Sequence, residues 1–201
     1  MPPSNGALWT TPRQILGNLI PLVLATPFAW QAVKVASSNG PLKELFLWGG
    51  GFFATGWLAV NFFGLVGNQA LKRAMELRYR ADRPGQQPLE KWFVGFAKSG
   101  YKGMLDPHQD VGFLLLFDDR IEFFGSAEQI ELPLEFVREV RKRANIHSAL
   151  LLGGWVSLEG EAAGQPIRLQ IEPREKLTLL GNKSLAKQIR QRLEKWLSAE
   201  D

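Results

Sequence analysis

Val111-Gly112-Phe113-Leu114-Leu115-Leu116-Phe117-Asp118-Asp119-Arg120-Ile121-Glu122-Phe123-Phe124 is the stretch whose reading decides the fold. An unbroken apolar run from Val111 to Phe117 meets a polar turn at Asp118-Asp119. Arg120 to Phe124 then reads as the returning strand of a β-hairpin. The segment is too short for a buried helix and is rich in the large apolar residues that strands favour.

Working outward from this hairpin, the same texture continues. Gly125-Ser126 is a turn, Gln129 to Leu134 is extended, and Phe136 to Val140 alternates. Leu150-Leu151-Leu152 with Trp155 to Leu158 forms a further strand region. Gly160 to Gln165 is a loop, and Pro166 to Ile171 alternates cleanly. On the N-terminal side, Trp92 to Phe96 opens the set. The end differs: Leu185, Ile189, Leu193, Trp196 and Leu197 recur at helical spacing, with Lys187, Arg190, Arg192 and Lys195 between them. Asn182 or Ser184 is the expected cap of that helix.

Two segments carry a family resemblance: Gly112 to Phe123, and Ile130-Glu131-Leu132-Pro133-Leu134-Glu135-Phe136-Val137-Arg138-Glu139-Val140. Together they resemble the GRAM and bacterial pleckstrin-homology-like (PH-like) pattern, in which a G-x-L-x-L strand turns at a charged pair into R-[LI]-x-F. An I-P-L-x-x-[IV]-x-x-V strand then follows. The chain departs from the pattern at Phe117, where threonine is usual, and at Leu132, which separates the isoleucine from Pro133. The resemblance covers about half the chain, from Trp92 to Leu197, and consists of packing positions. It implies a split β-barrel capped by a helix, usually binding lipid headgroups or proteins, and does not imply an enzyme. The whole arrangement also resembles small bacterial membrane proteins that carry such a domain.

The first third of the chain is a different material. Mean hydropathy over the chain is near neutral, at -0.10, yet no charged residue lies between Arg13 and Lys34 or between Glu44 and Lys72. At about 1.5 Å per helical residue, the first gap is roughly one bilayer core long and the second is longer. Spans are expected at about 14–33 and 45–67, the second being the stronger, joined by the turn cluster Ser37-Ser38-Asn39-Gly40-Pro41. Pro21 and Pro27 are tolerable in a span, and Trp30 and Trp48 suit the headgroup region. Gly49, Gly56, Gly64 and Gly67 share a face on which the first span can approach closely, and Asn61 and Gln31 suit interhelical bonding. A cleaved leader fits poorly, because the opening has one arginine and two early prolines, with no small-residue cleavage site.

The expected organisation is a transmembrane hairpin over 1–70, a basic juxtamembrane stem and linker over 71–88, and a PH-like domain over 89–201. Lys72, Arg73, Arg78, Arg80 and Arg83 crowd behind the second span. The positive-inside rule therefore puts both termini and the C-terminal domain in the cytoplasm, with the stem along anionic lipid.

Composition narrows function by exclusion. The absence of cysteine rules out disulfides, thiolate metal sites and cysteine nucleophiles, and the net charge of +4 is too small and dispersed for nucleic acid. Asp106-Pro107-His108-Gln109-Asp110 has two carboxylates around an imidazole, which with His147 suggests a divalent metal. The same residues make a polar turn before a buried strand, and this is the preferred reading. Gly153-Gly154 lacks the Lys-Ser or Lys-Thr of a phosphate loop, and Ser148 and Ser157 lack a nucleophile-elbow context. Neither span holds a charge or a histidine for a proton path or haem. Arg138, Arg141, Lys142 and Arg143 form a candidate patch for anionic headgroups or a protein partner. The expectation is thus an α+β protein without catalytic residue, metal or cofactor, whose partners are anionic membrane lipids. The alternative is an accessory subunit of a larger membrane complex, or a homo-oligomer, assembled through the hairpin.

Overall fold

The computed structural model describes residues 8–63, 67–101, 107–145, 148, 151 and 153–199. The chain divides into two compact units, Thr11–Val66 and Met1–Thr10 with Gly67–Asp201.

The first unit is a pair of helices, α1 (Thr11–Ser37) and α2 (Leu42–Phe63). The intervening turn is closed by N–H groups of Ser38 and Gly40 donating to the carbonyls of Lys34 (3.1 Å) and Val35 (2.9 Å). Asn39 takes the left-handed conformation that asparagine tolerates (φ 50°). Phe28 meets Trp48 and Gly51 while Ala25 meets Gly56, a register only antiparallel helices give. The glycines in contact are not the expected set. A Cβ at Gly51 would lie 2.6 Å from Phe28 Cδ1 and one at Gly56 3.9 Å from the Ala25 methyl, while Gly49 meets nothing within 4 Å. Close approach is needed where the Phe28 ring projects, and that point is Gly51. Gly64 lies outside the described residues.

The second expected span, 45–67, runs past the described end of α2 at Phe63. Among the described residues one helical stretch, Leu19–Ser37, is long and apolar enough to cross a membrane.

The second unit opens with α3 (Asn68–Asp82). Strands β1 (Glu90–Lys98), β2 (Asp110–Leu116), β3 (Arg120–Gly125), β4 (Gln129–Pro133), β5 (Val137–Arg143), β6 (Trp155–Ala162) and β7 (Gln165–Pro173) follow, and α4 (Leu179–Leu197) closes it. All neighbours are antiparallel in one seven-stranded sheet of order β4-β3-β2-β1-β7-β6-β5, so the fold is α+β. The deciding hairpin pairs Phe113 with Phe124 and Leu116 with Ile121.

Strand alternation sorts the apolar side chains onto two faces. Val94, Phe96, Leu114, Leu116, Ile121, Phe123, Leu158 and Ile171 point to one face, where Leu185, Ile189, Leu193 and Trp196 of α4 cover them. Each such side chain, fully buried, contributes about 1.5–3 kcal/mol. Trp196 also donates its indole N–H to the Phe117 carbonyl (2.8 Å), tying α4 to the β2–β3 turn. Phe93, Val111, Phe113, Leu115 and Phe124 point to the other face, where Leu71, Met75 and Tyr79 of α3 cover them together with Leu8 and Trp9. Both faces of β1–β3 are therefore buried, which is why Val111 to Phe117 reads as a continuous apolar run.

Several expected boundaries move. The segment expected as a stem and linker over 71–88 begins as α3, part of the second core, and the residues just before α1 belong to this unit too. Thr178, not Asn182 or Ser184, caps α4, its hydroxyl accepting the Gly181 N–H. Leu134–Phe136 is a 3-10 turn. Leu151 is in a turn at φ 60°, outside β6, while Leu150 and Leu152 lie outside the described residues. The expected loop from Gly160 to Gln165 contracts to a tight turn at Ala163-Gly164.

Candidate functional site

The four residues expected to form one patch lie on β5 and are divided by its pleat. Glu139, Arg141 and Arg143 pair opposite Glu159, Ser157 and Trp155 of β6 and share the outer face, whereas Lys142 pairs opposite Val156 and points the other way. The outer face is dominated by Glu159. Both of its oxygens accept from Arg143, Nε and Nη2 each at 2.7 Å, and Arg168 Nε lies 3.3 Å away. The Ser157 hydroxyl donates as well, at 2.8 Å. The Arg143 fork holds the Glu159 carboxyl down at about 2 against the opposing effect of burial, with Ser157 and Arg168 adding to it. The same pairing raises Arg143. Arg141 is paired with Glu139 at 2.6 Å. Arg143 and Arg141 are thus engaged with neighbouring carboxylates rather than open to a ligand.

Arg138 is exposed and lines a shallow cleft of about 310 Å³ with Ser99, Glu139, Glu159, Glu161 and Arg168. Arg168 also donates to the Ser99 hydroxyl at 3.4 Å. Glu139, Glu159 and Glu161 beside Arg138 and Arg168 make this a mixed-charge notch, in which Glu139 and Glu159 are already paired with Arg141 and Arg143.

The basic residues after α2 are mostly bound up in holding α3. Lys72 pairs with Glu175, Arg78 with Asp82 (3.4 Å) and with the Ser126 carbonyl (2.7 Å), and Arg80 with Glu76 (3.1 Å). Arg83 reaches Glu122 at 3.3 Å. Burial works to raise the Glu76 carboxyl, but hydrogen bonds from Lys91 and Arg80 outweigh it and bring it below its ordinary value. Arg73 is exposed and has no carboxylate partner among the described residues.

The Asp-Pro-His-Gln-Asp cluster resolves into two structural devices, with Asp106 and His147 outside the described residues. Asp110 is 1% exposed and satisfies the turn before β4. One oxygen accepts from the Ser126 hydroxyl (2.6 Å) and the Val111 N–H (2.8 Å), the other from the N–H groups of Ala127 (2.9 Å) and Glu128 (2.8 Å). Four donors occupy the lone pairs a cation would need. His108, equally buried, packs edge-on against Trp155, with Arg174 Nη1 3.1 Å from Nδ1 and Glu172 3.2 Å from Nε2. Its ring fits because position 95 is glycine: a Cβ there would lie 2.0 Å from His108 Cδ2. Glu172 in turn accepts from Asn145 (3.0 Å) and the Gly154 N–H (3.1 Å).

Trp9 closes this network from outside. Its ring lies 4.5 Å from the Arg174 guanidinium, its indole N–H donates to the His108 carbonyl, and its backbone N–H donates to Ser126 Oγ, both at 3.3 Å. Sequence reading singled out His108 and Asp110 but neither Glu172, Arg174 nor Trp9. The signal for Glu172 and Arg174 was Ile171-Glu172-Pro173-Arg174, charges set into the end of a buried strand.

No family model matches the chain, and comparison with curated proteins finds no match. Among solved structures, the chain is similar to the hSac2 domain from human phosphoinositide phosphatase Sac2. That likeness has 12% identity, covers 67% of this chain and 82% of that one, and has a TM-score of 0.39.

Proposed function

We propose that this protein is a non-catalytic, membrane-anchored PH-like module that contacts anionic lipid headgroups on the cytoplasmic side. The docking of Leu8 and Trp9 on the C-terminal unit carries the reading. The segments flanking residues 11–66 pack on one apolar cluster, so the intervening chain crosses a bilayer an even number of times. Cleavage of α1 as a leader would remove Trp9 with it. The hairpin turns large apolar side chains outward: Leu22 is 58% exposed, Val33 60%, Phe46 71% and Phe53 75%. Side chains so disposed favour hydrocarbon over water. The PH-like assignment is supported by the strand order and by α4 lying over one face of the sheet.

The chain has no cysteine, so single cysteines report topology without background. Asn39→Cys in the α1–α2 turn should react with a membrane-impermeant maleimide on intact cells, and Ser198→Cys only after lysis. Reaction of both before lysis, or of Ser198→Cys alone, would overturn the hairpin topology. Release of the protein by alkaline carbonate would overturn the anchor.

A further inference from the structure

Three leucines of the second unit are held outward beside lysines. Leu177 is 72% exposed, Leu151 74% and Leu180 46%. Leu177 is not a loose residue. Asn182 accepts the Lys176 N–H (2.8 Å) and donates back to the Lys176 carbonyl (3.2 Å), and Thr178 caps α4 directly after it. The turn therefore presents Leu177 in a fixed direction, with Leu180 following in the first turn of α4. Lys183 joins Leu151 to the group by donating to its carbonyl at 2.9 Å. Lys142 completes the rim: a Cβ at Gly154 would lie 3.6 Å from Lys142 Cε and 3.9 Å from Ser148 Cβ, and Ser148 accepts the Leu151 N–H. Lys142, Lys176 and Lys183 are all exposed. The sequence patch on β5 contributes Lys142 alone to this cluster, by the side chain its pleat turns away from the arginines.

The position of this cluster in the chain identifies its occupant. α3 starts at Asn68, a few residues after α2 ends at Phe63. Its first turn is bonded to the strand end that leads into the leucines: Asn68 donates to the Arg174 carbonyl (3.4 Å), Gln69 to the Glu175 carbonyl (3.1 Å), and Lys72 pairs with Glu175. Leu177 follows Glu175 by two residues. The apolar knob is thus fastened to the first turn of α3, which follows the hairpin in the chain.

We infer that Leu151, Leu177 and Leu180, rimmed by Lys142, Lys176 and Lys183, form the surface that seats this domain on an anionic bilayer. The leucines enter the headgroup–acyl boundary and the ammonium groups meet lipid phosphates. This rests on the anchored reading above and replaces the arginines of β5 as its contact. Each lysine near an anionic surface strengthens contact roughly fivefold.

The test uses the full-length protein in vesicles of equal phosphatidylglycerol and phosphatidylcholine, and in phosphatidylcholine alone. Single cysteines at Phe53, Leu177 and, as an aqueous control, Glu135 carry a nitroxide. Relaxation by oxygen, which concentrates in lipid, is compared with relaxation by a water-soluble nickel chelate. The expected result is oxygen-dominated relaxation at Leu177 in anionic vesicles and nickel-dominated relaxation at Glu135. In a Lys142→Glu/Lys176→Glu/Lys183→Glu background, and in phosphatidylcholine alone, Leu177 should shift toward nickel. Nickel dominance at Leu177 in anionic vesicles with Phe53 in lipid overturns this inference and leaves the anchor standing. Nickel dominance at Phe53 overturns the anchor, and the inference with it. An immobilised label at Leu177 reached by neither reagent means a protein covers the leucines, and also overturns it.

Discussion

Glu159 and Asp110 show how much a single carboxylate is asked to do here. The folded-state pKa of Glu159 is depressed to about 2 from 4.5 by Arg143, Ser157 and Arg168. A depressed carboxyl stabilises the fold above its unfolded pKa, and that contribution fades as pH falls from about 4.5 toward 2. Its arginine partners are partly exposed (36% and 38%), so solvent screening leaves at most about 1 kcal/mol. Glu159→Gln should therefore lower the urea midpoint of the micelle-held protein at pH 7, with the two curves converging near pH 2. A gap unchanged across that range would mean the carboxylate charge contributes nothing. Asp110 acts through acceptors rather than charge. Asp110→Ala leaves the Ser126 hydroxyl and the N–H groups of Ala127 and Glu128 short of partners, at a cost of about 2–4 kcal/mol. Asp110→Asn, which keeps one acceptor oxygen, should cost less in the same unfolding experiment; equal costs would show that the turn does not depend on these bonds.

At the level of elements, the β2–β3 hairpin and the apolar stripe of α4 could be read from sequence because their contacts are local or periodic. Asp118-Asp119 marks its own turn, and Leu185, Ile189 and Leu193 mark their own face. The cover on the second face could not be read in this way. Leu71, Met75 and Tyr79 are buried, yet they alternate with Lys72, Arg73, Arg78 and Arg80, and basic residues close behind an apolar segment read as a stem for lipid. The overlooked clue was the strand itself: a run apolar on both faces needs two covers, and α4 supplies one. His108, Glu172 and Arg174 met the same limit, since residues 64 to 66 positions apart leave no local trace of their pairing. Trp9 is part of the missed cover and can be tested alone. Trp9→Ala removes the ring from Arg174 and uncaps the apolar cluster, at about 1–2 kcal/mol, below the 3–5 of a fully buried aromatic because Trp9 is only half-buried. Hydrogen exchange should accelerate in residues 8–10 and around Ser126 while α4 stays protected. Unchanged exchange at both places would mean that the segment is not docked.

For the whole molecule, the two units place opposite demands on solvent. The second unit covers both faces of β1–β3, and among its described residues Leu151, Leu177 and Leu180 face outward beside lysines while Leu77 and Leu89 do so elsewhere. In the helix pair, α1 and α2 pack on each other. Ala25 and Ala59 are enclosed, while Leu19, Val23, Trp30, Leu47 and Phe53 face outward. On the anchored reading proposed above, lipid covers this outward apolar surface. Material behaviour should follow this division. The full chain is expected to need detergent and to pellet with membranes, whereas a fragment of residues 67–201 should stay dissolved in plain buffer. That fragment lacks Leu8 and Trp9, so it should bind a hydrophobic dye at the uncovered cluster, and appending residues 1–10 through a flexible linker should reduce the dye signal. A full chain that remains monomeric and dispersed without detergent would remove the need for a bilayer, because its outward phenylalanines and leucines would then be tolerated by water.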